Sequence, residues 1–245
     1  MTAPFPTHKQ EDWRYADLEA LRPVWEQFAE PVTLTVGAGE SLEEIWLPSS
    51  DDVQLRRVQL ALGAGAHARI FALNTAAVYG RIELEVSLAE HAEFELYAAN
   101  IGTDLSTNEI VTNVRHLEPN GRSRQVVRSV LNGKAVGSYL GKVEVARGAQ
   151  QTDGEQSVKA MLLDRGATAN CKPELEIFAD DVKCAHGASV GELDAMQLFY
   201  AESRGLDPAS ARALLLEGFV TGLWDGASEP QAIAEAAREA LRRVV

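Results

Sequence analysis

Between residues 31 and 188 the chain alternates apolar and polar side chains in short runs, and this period of two limits the possible folds more than any other feature. Val58-Gln59-Leu60-Ala61-Leu62, Ile82-Glu83-Leu84-Glu85-Val86 and Phe94-Glu95-Leu96-Tyr97 each put their larger apolar residues on one face. Such alternation marks half-buried strands. Residues 40–160 carry no long helical periodicity, which argues against βαβ crossovers. The runs stop at small turns: Gly65-Ala66, Glu90-His91-Ala92, Asn120-Gly121, Gly148-Ala149, Gly166-Ala167 and Gly187-Ala188. The turns recur about every 18–30 residues, the range of one coil of a β-solenoid. A β-sandwich would give similar strands, but a recurring small-residue corner followed each time by a strand favours the solenoid.

The flanks differ from this body. In residues 1–30, Trp13, Tyr15, Leu18 and Leu21 are spaced for one or two helical turns, too short to be stable unless packed on something larger. From 189 to 245 the pattern is helical. Leu193, Met196 and Phe199-Tyr200 form one stripe, and Gly205 is a natural C-terminal stop. Asp207-Pro208 supplies an N-cap and a first-turn proline for a second helix through Ala211, Leu214, Leu215, Gly218 and Phe219. Ser228-Glu229-Pro230-Gln231 reads as a capping box opening a third helix, striped by Ile233, Ala237, Ala240, Leu241 and Val244. The expected organisation is an N-terminal helical segment at 1–30, a β core at 31–188 and a helical subdomain at 189–245. That subdomain could cover the open end of the solenoid.

Composition narrows the function. The net charge of −13 argues against nucleic acid and against an anionic membrane surface. Residues 111–150 are locally basic, with seven Lys/Arg against two Asp/Glu. This fits a solvated sheet face better than a docking patch. Two cysteines are too few for a disulfide framework, no apolar run spans a membrane, and the first residues lack the apolar core of a signal peptide. A cytoplasmic location is expected.

No nucleotide motif is present. Gly133-Lys134 and Gly141-Lys142 lack the upstream glycine and the following Ser/Thr of a phosphate loop. Gly37-Ala38-Gly39 and Gly63-Ala64-Gly65 lack the third glycine of a dinucleotide fingerprint, and no Gly-x-Ser-x-Gly elbow occurs. The chemistry concentrates in Val182-Lys183-Cys184-Ala185-His186-Gly187-Ala188. Cys184 and His186, two apart, face the same way if extended. Thiolate and imidazole, with Glu174, Glu176, Asp180 and Asp181 near in sequence, suit iron or an iron–sulfur species. One chain supplies too few ligands for a closed site, whereas a site shared between subunits would complete the count. The alternative for His186 is a satisfied structural histidine, and for Cys171 a small core hydrophobe. His8, His67, His91 and His116 are scattered and read as structural or exposed; Trp13, Trp25, Trp46 and Trp224 read as packing residues.

The segment Val182–Ser189, with Gly191-Glu192-Leu193-Asp194, Gln197-Leu198-Phe199-Tyr200 and Arg204-Gly205-Leu206, resembles the SufB/SufD family of iron–sulfur cluster assembly proteins. The Cys-x-His-Gly-Ala form is similar to the SufD branch, as is the opening Glu11-Asp12-Trp13-Arg14-Tyr15-Ala16-Asp17-Leu18. Asp153-Gly154-Glu155-Gln156-Ser157 has no cysteine where the SufB branch tends to carry one. The resemblance implies a mainly β protein, a right-handed parallel β-helix with helical flanks. It implies a non-catalytic scaffold that binds no nucleotide itself. Such chains pair with a SufB-like subunit and bind a SufC-like ATPase, whose ATP-driven dimerisation opens the interface where a transient cluster is built. His186 is then the implied ligand of iron or cluster at that interface, with Cys184 second. Glu192, Met196, Phe199, Tyr200, Arg204, Leu215 and Phe219 are the implied contacts of the ATPase. A second copy of this chain is an alternative partner. The rival functions are a carbohydrate lyase or hydrolase on a parallel β-helix, and a solenoid adaptor with no metal role.

Overall fold

The computed structural model describes residues 4–244. Twelve strands run in chain order: β1 Val32–Val36, β2 Ser41–Trp46, β3 Val53–Leu62, β4 His67–Asn74, β5 Tyr79–Leu88, β6 Glu93–Gly102, β7 Thr107–His116, β8 Arg122–Leu131, β9 Val136–Val145, β10 Asp153–Leu162, β11 Thr168–Ile177 and β12 Lys183–Gly191. The odd strands form one six-stranded sheet and the even strands another. Every pairing is parallel. Consecutive strands lie in opposite sheets, so each coil contributes one strand to each. The result is a β-solenoid of about six turns. Register neighbours are 26 residues apart at Arg57–Glu83 and 32 apart at Ser138–Asn170.

Alternation dictates what fills the interior. Leu60, Leu84, Ile110 and Tyr139 from the odd sheet meet Ile70, Phe94, Leu96 and Val127 from the even sheet in one buried cluster. The charged residues between them point outward and pair between coils, as Arg122 does with Glu93, Arg124 with Glu155 and Arg115 with Glu144. Four of the basic residues at 111–150, Arg115, Arg122, Arg124 and Lys142, are paired in this way on the sheet faces.

One corner joins each odd strand to the next even strand and uses a left-handed residue in five successive coils. These are Gly39, Gly65, His91, Asn120 and Gln151, with φ between 58 and 71°. Each turns its N–H along the solenoid axis onto a carbonyl of the following coil: Ala64, Glu90, Pro119, Gln150 and Asp181. Gly65-Ala66, Glu90-His91-Ala92, Asn120-Gly121 and Gly148-Ala149 all fall at this corner, and Gly166-Ala167 at the opposite one. Gly187-Ala188, expected as a further corner, lies inside β12 instead. The real sixth corner is formed by residues 178–182, which contain no glycine.

Both outer faces are partly covered. On the odd sheet sit short turns at Glu11–Trp13 and Arg22–Val24 and two one-turn helices, α1 (Leu18–Leu21) and α2 (Trp25–Phe28). Their Trp13, Leu21 and Trp25 pack on Leu55 and Tyr79. Beneath them lies a buried charge network. Arg81, with no side-chain exposure, donates to Glu83 and Glu109, and Tyr79 donates to Glu109. Arg57 donates to Glu83 and to the Phe28 and Ala29 carbonyls, tying the segment down. Burial raises the pKa of Glu83, but the two guanidiniums outweigh it and hold the carboxyl below its usual range. The Trp13 ring caps Arg81 at 3.7 Å.

Three longer helices follow β12: α3 (Ala195–Ser203), α4 (Pro208–Thr221) and α5 (Pro230–Leu241). Asp207 caps α4 as expected, through the Ala209 and Ser210 N–H groups. The expected capping box at 228–231 does not form. Glu229 occupies the cap position without a side-chain bond, and the Ser228 N–H donates to Glu43 on β2. The buried stripe of α5 (Ile233, Ala237, Ala240, Leu241) packs with Leu216, Val220 and Trp224 on Phe71, Ala99, Ile101 and Val126. Those residues lie on the outer face of the even sheet, so α4 and α5 cover the flank of the solenoid and not its open end. The reason is the wide apolar surface that the outward positions of β4, β6 and β8 offer.

The corner geometry makes a paired prediction. A Cβ at Gly65 or at Gly148 would meet nothing within 4 Å, so only backbone conformation separates them. Gly65→Ala, at φ +66°, should lower the unfolding free energy by about 1 kcal/mol. Gly148→Ala, at an ordinary φ, should raise it by about 0.5 kcal/mol. Urea denaturation measures both, and equal effects would contradict the corner assignment.

Candidate functional site

The last coil is where both sheets stop. β11 hydrogen-bonds to β9 and β12 to β10, and among the described residues no strand pairs beyond either. Ten residues of β11 and nine of β12 therefore present unpaired backbone edges. Burial falls away here: the inward positions that are closed in β10 are half-buried in β11 and mostly exposed in β12. Long, bare edges of this kind are templates for another chain.

Cys184 and His186 sit on this strand and share one face, as the sequence spacing predicts. It is the inward face. Cys184 packs against the interior cluster, and its register neighbours are Gly154 and then Ser123. A Cβ on Gly154 would lie 3.4 Å from the Cys184 sulfur, so the missing side chain opens the floor beneath the thiol. Burial pushes the thiol pKa up, and a bond from the Gly154 backbone offsets this in part. His186 stacks on Gln156, which stacks on Gln125. Cys171 also faces inward, half-buried on β11 opposite Tyr139, and burial raises its thiol pKa too.

The carboxylates expected nearby turn away. Glu174 and Glu176 occupy outward positions of β11, where they pair with Lys172 and Lys142. Asp181 lies in the corner and accepts from the Gln151 side chain; its neighbour Asp180 is an exposed corner residue. Alternation is the cause, since even-numbered positions of β11 point outward. Among the described residues, no three His, Cys, Asp or Glu side chains converge to hold a metal. The chain therefore offers part of a ligand set, with one soft donor and one borderline donor at an open end.

Sequence reasoning missed the floor under this pair. Ser123, Gln125, Gln156 and His116 are buried polar side chains at this end of the solenoid. His116 Nε2 and the Ser123 hydroxyl are 2.9 Å apart, and Gln156 Nε2 donates to Gln125 Oε1 at 3.2 Å. His116 Nδ1, Gln125 Nε2 and Gln156 Oε1 have no partner. The available signal was polar residues at inward parity in Ser123-Arg124-Gln125 and Gly154-Glu155-Gln156.

Beside the open coil, α3 buries none of its residues. Asp194 caps it through the Met196 and Gln197 N–H groups. Met196, Phe199 and Tyr200 are 72, 65 and 60% exposed, and Leu214 of α4 is 55% exposed. Glu192 and Arg204 are exposed as well. Leu215 is half-buried. Phe219 packs into the helix–sheet cluster with Arg128 over its ring, so it supports α4 from beneath. Met196, Phe199, Tyr200 and Leu214 are thus large apolar side chains left exposed on neighbouring helices.

The architecture is a parallel β-solenoid with a thiol and an imidazole at one open end and an exposed aromatic helix alongside. Residues 32–219 match the family model described as SUF system FeS cluster assembly, SufBD core domain, and the chain belongs to that family. It is 32% identical over 180 residues to an iron–sulfur cluster assembly SufBD family protein of Synechocystis, covering 72% of this chain and 39% of that protein. Identity to the Escherichia coli iron–sulfur cluster assembly protein SufD is 29% over 195 residues, covering 78% of this chain and 46% of SufD. Identity to Protein ABCI7, chloroplastic, of Arabidopsis thaliana is 40% over 129 residues, covering 48% and 27%. The chain thus spans less than half the length of these relatives. No helix among the described residues is long and apolar enough to cross a membrane.

His116 gives the site region a pH dependence. Burial depresses its imidazole to about 4, with Asp153 opposing weakly. The unfolded value is ordinary, so this contribution to stability is complete above about pH 6.5 and is lost as the pH falls towards 4. Denaturation titrations should show a loss of about 2 kcal/mol from this group between pH 7.5 and 5. His116→Gln should remove that share. A variant with the full acid dependence would contradict the assignment.

Proposed function

We propose that the chain is a SufD-like, non-catalytic subunit of an iron–sulfur cluster assembly scaffold. The observation that carries this reading is the position of Cys184 and His186: they face inward on a strand that, among the described residues, is the edge of its sheet. A SufB-like subunit whose own open coil abuts this one would cover the edges of β11 and β12. It would also supply the ligands that this chain lacks. The nascent cluster is cargo at that seam, with His186 as this chain's principal ligand and Cys184 as its second. Burial keeps the Cys184 thiol protonated, so it would have to lose its proton to ligate iron, which makes it the secondary ligand beside His186. Both thiols are free, which calls for a reducing compartment such as the cytoplasm.

The α3 patch is the proposed dock for a SufC-like ATPase. Met196, Phe199, Tyr200 and Leu214 supply its apolar centre, and Glu192 and Arg204 its polar rim. Phe219 acts from below by holding α4 against the solenoid, and half-buried Leu215 is a further contact of the dock. The N-terminal helical segment braces the odd sheet, and the 189–245 subdomain relays ATPase movement to the seam through the short link between β12 and α3.

Two experiments test this. In a complex co-expressed with SufB-like and SufC-like partners and purified anaerobically, His186→Ala should leave assembly intact and abolish bound iron and sulfide. Unchanged iron and sulfide would overturn the ligand role and leave a solenoid adaptor. Phe199→Ser with Tyr200→Ser should weaken ATPase binding about 30-fold or more while the strand signal in circular dichroism is kept. Undiminished ATPase capture would overturn the docking assignment.

A further inference from the structure

We propose that Gln156 is the positioning residue for His186, setting which imidazole nitrogen faces the seam. The inference rests on the reading of His186 as a ligand and deepens it. Gln125, Gln156 and His186 occupy one inward row on three successive even strands, in direct register. Parallel coils stack such positions about 4.8 Å apart. The two carboxamides are joined head to tail: Gln156 Nε2 donates to Gln125 Oε1 at 3.2 Å. With its nitrogen committed to the coil behind, Gln156 has its Oε1 free for the coil ahead, where His186 is the next side chain of the row. Gln156 is 1% exposed, so water is largely excluded from that oxygen. The solenoid uses the same device elsewhere: Asn74 Nδ2 donates to Asn100 Oδ1 at 3.0 Å between register neighbours.

A buried amide oxygen without a partner is costly, whereas turning an exposed imidazole is cheap. His186 therefore donates one ring N–H to Gln156 Oε1 in solution. The other ring nitrogen then keeps its lone pair and points away from the solenoid, toward the open end. A hydrogen-bond partner on one nitrogen is how ligating histidines are held in a single tautomer. Gln125 anchors the row from behind, and Gly154 leaves the neighbouring row open beneath Cys184. The row thus fixes the imidazole before any metal or partner arrives.

The test is the tautomer of His186, read from two-bond nitrogen–proton correlation spectra of the whole chain without metal, with His186→Ala used to assign the signals. The wild type should show one dominant tautomer. Gln156→Leu should lower the tautomer ratio about fivefold, the factor one ordinary hydrogen bond supplies. Gln156→Glu should restore it, because a carboxylate still accepts from a His186 ring N–H while the unpartnered Gln125 Nε2 can donate to it from behind. If Gln156→Leu does not fold, Gln156→Met removes the same amide with less change of shape. Equal tautomer ratios in the wild type and the apolar variant overturn the proposal. This outcome is separate from failure of the ligand reading, which would appear as unchanged iron and sulfide in the His186→Ala complex while the tautomer result stands.

Discussion

Parallel stacking fixes this molecule one coil at a time. Each inward side chain lies over its register neighbour, and each backbone edge is paired by the coil ahead. An interior coil is therefore closed on both sides, while the last coil can be closed on only one. Ile110, Val127 and Tyr139 are buried because a neighbour covers them. Cys184 and His186 occupy equivalent inward positions and stay less covered because, among the described residues, no strand pairs beyond β12. The pair is less covered than its counterparts in interior coils because of its place at a solenoid end.

The same constraint explains how chemistry and assembly come together. A solenoid end combines unpaired N–H and C=O groups with inward side chains lacking a lid. A partner that satisfies the first encloses the second. Removing water from the pair strengthens every interaction with a charged cargo placed there. Elsewhere the solenoid is braced. The buried Arg57–Glu83–Arg81–Glu109 network and Trp13 hold the N-terminal turns on the odd sheet, and Trp224 and α5 hold the even sheet. With both flanks partly covered, the end coil carrying Cys184 and His186 and the bare face of α3 lie side by side as surfaces open to partners.

Much of this was legible from residue order because alternation is local. Ile82-Glu83-Leu84 shows strand and face in three residues, and Cys184-x-His186 shows a shared face in the same way. The Asp207-Pro208 cap and the Gly205 stop are equally local and are found where expected. What escaped was long-range. Gly187-Ala188 has the composition of a corner but continues β12, because the turn had already been made at residues 178–182. Glu174 and Glu176 are near Cys184 in sequence but on the outward face in space. The helical subdomain settles on the even-sheet flank because Phe71, Ile101 and Val126 form a single apolar surface only after the coils stack. The Gln125–Gln156 row emerges only when register is known.

The central claim is that the last coil is completed by a partner. Amide hydrogen exchange of β11 and β12, with and without a SufB-like subunit, measures this most directly. The account predicts that the outward-edge amides of Lys183–Gly191 and Thr168–Ile177 exchange rapidly in the isolated chain and become protected in the complex, while β4–β8 change little. Exchange at β11 and β12 that is the same in both states would contradict it.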